Sequence, residues 1–125
     1  MTITEVSRKY NLTADTLRYY ERIGLIPPIN RSASGVREYT EEDCNWVNFM
    51  KCMRGVGISI EILIEYITMF QKGNSTINAR KELLIEQRSC LAEKIKEMQQ
   101  TLERLDNKID GYEERMLIKE KELRR

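Results

Sequence analysis

Thr13-Ala14-Asp15-Thr16-Leu17-Arg18-Tyr19-Tyr20-Glu21-Arg22-Ile23-Gly24-Leu25-Ile26-Pro27-Pro28 is the stretch that decides the fold. Thr13 is an N-cap type, and the residues after it carry helix periodicity to about Ile23. Leu17, Tyr20 and Ile23 share the inward face, and Thr16, Arg18, Tyr19 and Arg22 point mostly outward. Gly24 stops the helix. The two prolines forbid helix and force an extended run.

Upstream, Thr2-Ile3-Thr4-Glu5 reads as a capping box for a first short helix with Ile3, Val6 and Tyr10 on one face. Asn11-Leu12 is the turn between the two helices, and the pair spells a helix-turn-helix over about 2–24. Downstream, Ile26 to Tyr39 reads as a β-hairpin wing, with Asn30 to Gly35 as its loop and Val36-Arg37-Glu38-Tyr39 alternating like a strand. Thr40-Glu41-Glu42-Asp43 caps a helix over about 41–54, carried by Trp46, Val47, Phe49, Met50 and Met53. Gly55-Val56-Gly57 ends it, and Ser59 caps a helix over about 59–72 that buries Ile60, Leu63, Ile64 and Ile67.

Composition changes at Gly73-Asn74-Ser75, which sets a head at 1–73 against a single helix at 76–121. Leu84, Leu91, Met98, Leu105 and Tyr112 recur every seven residues. Ile95, Leu102, Ile109 and Met116 fill the alternate positions, with Arg88 the polar interruption. A helix of roughly 45 residues reaches about 65–70 Å and cannot bury its stripe on so small a head. The expected fold is therefore mainly α, a winged helix-turn-helix head followed by a long C-terminal coiled-coil dimerisation helix. Lys94, Lys108 and Arg115 on one flank and Asp106 and Glu113 on the other favour a parallel pair by charge alone. Gly111 falls on the outer face, where it serves no purpose visible in the sequence.

The 125 residues carry a net charge of +1, which excludes a polycation or an acidic tail protein. There is no histidine, so the commonest general base and zinc ligand are missing. No nucleophile–base pair stands out, and neither an enzyme nor a bound cofactor or metal is expected. Cys44, Cys52 and Cys90 form no C-x-x-C and read as reduced thiols. No apolar run reaches the ~18 residues of a membrane span. The start lacks a signal-peptide core, so a soluble cytoplasmic protein is expected.

The first 37 residues hold six basic side chains (Arg8, Lys9, Arg18, Arg22, Arg31 and Arg37) against three acids. Arginines and tyrosines on a recognition helix beside a basic wing suit phosphate and groove contacts. Residues 13–28, the wing Arg31-Ser32-Ala33-Ser34-Gly35-Val36-Arg37-Glu38-Tyr39 and the following Thr40-Glu41-Glu42-Asp43 together resemble the MerR family of bacterial transcription regulators. The resemblance covers almost the whole chain. It implies an antiparallel coiled-coil homodimer, against the flank charges, on a palindromic promoter shared with RNA polymerase. It also implies activation by bending and untwisting DNA across an overlong spacer. By that motif Thr13, Thr16, Arg18, Tyr19, Tyr20 and Arg22 should face DNA from the recognition helix. Arg31, Arg37 and Tyr39 should do so from the wing, and Arg54 from a second wing position. Asp15 must either repel phosphate or read a cytosine amine.

Phe49-Met50-Lys51-Cys52-Met53-Arg54 and Ile58 to Tyr66 are similar to the NmlR/AdhR branch of the family, in which a cysteine at this place is proposed to respond to reactive aldehydes or nitric oxide. This makes Cys52 the candidate sensor, with Lys51 and Arg54 favouring its thiolate and the helix C-terminus opposing it, so that the balance is open. Cys44 is about 12 Å away along the helix, beyond disulfide reach, and with Cys90 it reads as passive. Two other readings stay open. One is a MerR-like regulator with a non-thiol trigger or none, and the other is a coiled-coil interaction protein without specific DNA binding.

Overall fold

The computed structural model describes residues 1–124. Among them are six α-helices and one 3₁₀ turn, in the order α1 Ile3–Tyr10, α2 Ala14–Arg22, α3 Glu41–Gly55, α4 Ile60–Gln71, a 3₁₀ turn Asn74–Thr76, α5 Ile77–Ile109 and α6 Tyr112–Leu123. None of these helices is long and apolar enough to cross a membrane.

The caps form as their residue types require. Thr2 Oγ1 accepts from the Glu5 amide at 3.2 Å, and Glu5 Oε1 accepts from the Thr2 amide at 3.1 Å. Those bonds hold the Glu5 carboxyl below its ordinary pKa. Thr40 and Asp43 repeat the reciprocal box at α3. Thr13 and Ser59 cap α2 and α4 through single bonds to the Thr16 and Ile62 amides. Each such cap is worth about 1 kcal/mol. Asn11 ends α1 in the left-handed region at φ 53°, which turns the chain sharply into α2.

The chain clusters into two units, Met1–Ile85 and the residues from Glu86 onward. The 3₁₀ turn and the start of α5 pack back on α4: Thr76 Oγ1 donates to the Met69 carbonyl at 2.6 Å, and the Arg80 guanidinium lies 5.0 Å from the Phe70 ring centre. Trp46 ties α3 to α4, its ring centre 4.9 Å from Phe70 and 6.3 Å from Tyr66.

The core of the first unit gathers Val6, Leu17, Tyr20, Leu25, Ile26, Ile29, Tyr39, Cys44, Val47, Met50, Ile58, Leu63 and Ile67. The inward faces expected of α1 to α3 are there, with Ile3, Tyr10, Ile23, Trp46, Phe49 and Met53 packed around them. On α4, Leu63 and Ile67 are buried, whereas Ile60 and Ile64 are only half-buried. The extended run around the prolines contributes more than its irregular backbone suggests: Leu25, Ile26 and Ile29 are 0%, 1% and 6% exposed. They join the core of this unit, which no periodicity could announce.

The wing is a hairpin reduced to one bridge, Arg31 with Arg37. Its turn closes through Gly35 N–H to the Ser32 carbonyl at 2.9 Å, and Glu38 N–H reaches the Asn30 carbonyl at 2.8 Å.

The expected single helix at 76–121 is corrected to two. Asp110-Gly111 breaks it, with Gly111 at φ 65° as the residue before α6. The left-handed turn accounts for the glycine that looked idle on an outer face. Arg115 on α6 donates to the Asn107 and Lys108 carbonyls, covering acceptors that the end of α5 leaves open. A Cβ at Gly111 would meet only an arginine tip at 3.8 Å, so Gly111→Ala is opposed by φ and not by space. That substitution should cost the turn about 1–2 kcal/mol and speed amide exchange across α6. Unchanged exchange would mean that the turn does not depend on glycine.

Candidate nucleic-acid interface

Arg18, Tyr19 and Arg22 stand on the exposed face of α2, one to four residues apart. Tyr19 is 38% exposed, and the Arg22 guanidinium lies 5.4 Å from its ring centre. Arg18 Nη1 pairs with Asp15 Oδ1 at 2.9 Å. Both side chains are well exposed, so this contact is worth about 0–1 kcal/mol and yields readily to a phosphate. It also gives Asp15 a place, holding Arg18 along the helix. Thr13 and Thr16 sit at the helix start with their hydroxyl oxygens 2.8 Å apart, and Thr13 is committed to the cap.

The wing comes to α2 through Glu21. Its Oε1 accepts from Arg37 Nε at 2.9 Å, and its Oε2 accepts from the Ile29 amide at 3.1 Å. Burial pushes the Glu21 carboxyl up, but the bonds from Arg37 and Ile29 and the charge of Arg37 outweigh it, so its pKa lies below the ordinary value. Arg18, Glu21, Arg22, Pro28 and Arg37 line one groove of about 460 Å³ between α2 and the wing. Three arginines and one acid therefore share a concave surface of positive sign. Glu21 was missed in the sequence because its partner is 16 positions away and no local spacing connects them.

Two expected contacts are corrected. Tyr39 is 3% exposed and Tyr20 8%, and both belong to the core. Burial, then the nearby Glu21 charge, raises the Tyr39 hydroxyl pKa, and its oxygen has no hydrogen-bond partner among the described residues. Tyr39 thus anchors the wing's base from inside. Arg31 Nη1 donates to the Gly35 carbonyl at 2.9 Å and braces the wing turn. Arg54 lies apart from the α2–wing groove, at the end of α3, where Nη1 donates to the Ile58 carbonyl at 2.7 Å and closes the loop before α4.

Cys52 is exposed on α3, Cys44 is buried and Cys90 is exposed on α5. The cations expected to assist Cys52 are engaged elsewhere: Lys51 Nζ donates to the Tyr10 carbonyl, and Arg54 serves Ile58. The thiol's hydrogen-bond contact is Asn48 Oδ1 at 4.0 Å. On α5, the seam residues Leu84, Ile95, Met98, Leu102, Leu105 and Ile109 are exposed, as is Tyr112 on α6, and Leu91 and Met116 are half-buried.

A helix-turn-helix with a short wing and a basic groove between them defines a DNA-binding regulator, here followed by a long helix. Residues 1–69 match the model of the MerR HTH family of regulatory proteins, and the chain belongs to that family. The HTH-type transcriptional regulator AdhR of Bacillus subtilis is 55% identical over 93 residues, which span 74% of this chain and 66% of AdhR. A MerR family regulator assignment also attaches to a crystal structure from Listeria monocytogenes. It is 49% identical, with a TM-score of 0.88, over 99% of this chain and 94% of that one. The crystal structure of HiNmlR, a MerR family regulator lacking the sensor domain and bound to promoter DNA, is 27% identical with a TM-score of 0.83 over 90% of each chain.

Proposed function

We propose that the protein is a cytoplasmic transcriptional activator that binds a palindromic promoter as an antiparallel homodimer. It acts beside RNA polymerase by bending and untwisting an overlong spacer, and responds to reactive aldehydes or nitric oxide through Cys52. The DNA part of this reading rests on the basic groove between α2 and the wing. Two copies of that groove, carried on one dimer, match the symmetry of a palindrome. Deformation of the duplex then serves as the switch, since the energy of bending depends on the sequence bent.

The sensor part rests on one observation: Cys52 is an exposed thiol within α3, the helix that Lys51 ties to α1 of the helix-turn-helix. An electrophile reaches Cys52 without unfolding the head, whereas Cys44 is shielded in the core. A bulky or polar adduct on α3 acts directly on the element that carries the Lys51 strut.

Transcription from the protein's own upstream promoter tests both parts. Wild type and Cys52→Ser are exposed side by side to formaldehyde, methylglyoxal and a nitric oxide donor. Cys52→Ser should stay folded, dimeric and DNA-bound while losing induction entirely. Equal induction in both proteins would remove the thiol from the mechanism and leave the DNA switch with another trigger.

A further inference from the structure

An acid in a groove meant for phosphate demands a reason. Glu21 is the acidic member of the α2–wing groove, and by charge alone it weakens every DNA contact there. Yet both of its carboxylate oxygens are occupied, one by Arg37 and the other by the Ile29 amide. The two side chains are largely sheltered, at 17% exposed for Glu21 and 22% for Arg37. A single carboxylate thus joins three segments: the recognition helix, the backbone just after Pro28 and the returning arm of the wing.

The chemistry of the contact matters. Glu21 engages Arg37 through Nε, the donor nearest the side-chain stem. A guanidinium is a rigid planar fork, so fixing Nε fixes the direction of the Nη donors as well. A wing with one bridge cannot hold an arginine in place by ladder hydrogen bonds. The carboxylate supplies that restraint instead.

We infer that Glu21 is a positioning residue for DNA recognition: it holds Arg37 so that the Nη donors, together with Arg18 and Arg22, receive one backbone phosphate in the groove between α2 and the wing. The inference rests on the DNA-binding reading above and adds a division of labour to it. Arg18 and Arg22 are carried by the helix, and Arg37 is brought to the same phosphate by Glu21. The wing angle, and with it the register of the protein on the duplex, depends on a residue that makes no DNA contact.

The sign of the effect separates positioning from simple repulsion. Removing a negative charge beside DNA tightens binding to any duplex, but removing a strut weakens binding where geometry counts. The test uses the full chain and two probes. One is a duplex bearing the palindrome that the wild-type protein selects from a random-sequence pool, and the other is a random duplex of equal length, both titrated over a salt series. Glu21→Gln keeps shape and loses charge. It should weaken palindrome binding by about tenfold while leaving random-duplex binding unchanged or tighter. Arg37→Gln should lower the salt slope on the palindrome by about one. The double variant should be no weaker than the weaker single one, because both break one device. The Arg37 Nε–H resonance should be protected from exchange in wild type and less protected in Glu21→Gln, where a neutral amide oxygen replaces the carboxylate.

Tighter binding of both duplexes by Glu21→Gln would make Glu21 a mere repelling charge and overturn the inference. So would weakening of both by one common factor, which is the signature of a smaller folded fraction. If the wild type selects no palindrome, the DNA-binding reading fails and the inference falls with it. If it selects one and the ratio of the two affinities is unmoved in the variant, the inference alone fails.

Discussion

Leu102→Asp should turn the protein into a monomer and abolish tight operator binding. Leu102 is 50% exposed in the single chain, among Met98 at 71%, Leu105 at 55% and Ile109 at 67%. A run of exposed large apolar side chains along one helix is a surface that requires a partner. Ile95, Met98, Leu102 and Leu105 line a shallow apolar groove on the chain itself. A carboxylate at the middle of that seam must be stripped of water against a second helix, at a cost of several kcal/mol. In a symmetric pair the substitution enters twice. A loss of about 4 kcal/mol or more raises the dimer dissociation constant by roughly a thousandfold. A monomer reads only one half-site, so operator affinity falls with it. Sedimentation at micromolar concentration reads the outcome directly. A dimeric Leu102→Asp protein would show that the pairing surface lies elsewhere.

Leu17→Ala should strongly destabilise the head while leaving the long helix helical. Leu17 is fully buried on the inner face of α2, in one cluster with Val6, Val47 and Met50. Truncating it removes apolar contacts and leaves a cavity, which costs about 2–5 kcal/mol. Small domains hold only about 5–15 kcal/mol in total. The loss falls where α1, α2 and α3 meet, so the recognition helix is the first element freed. The melting transition of the head should drop by more than 10 °C, a shift of the size such a loss produces in a domain this small. Tyr19→Ala makes the contrast, because Tyr19 stands 38% exposed on the opposite face of the same helix. It should leave the melting transition within a degree or two and weaken DNA binding instead. An unchanged melt for Leu17→Ala would mean that this cluster does not hold the head together.

Local chemistry was legible residue by residue. Thr2 with Glu5, Thr13, Thr40 with Asp43, and Ser59 are caps by side-chain type, and each start falls where its cap residue puts it. Leu17 and Tyr20 were readable as inward-facing because a 3.6-residue period leaves them no other side. The basic face of α2 followed from the same period. Gly111 was visible as an anomaly but not as a break, because the heptad pattern runs through it and an αL turn leaves no periodic trace.

What the sequence by itself determined is the first four helices, their caps, the outward arginines of α2 and the unsatisfied stripe of α5. These depend on neighbours within four or seven residues, where spacing alone states who can meet whom. Only the tertiary structure decided that Tyr39 belongs to the core, that Leu25, Ile26 and Ile29 join it, and that Glu21 clasps Arg37. Each of these depends on residues distant in the chain or on backbone without a period. A side chain's environment there is set by what folds over it, and hydrophobic burial and long-range ion pairs select that arrangement only once the helices have packed.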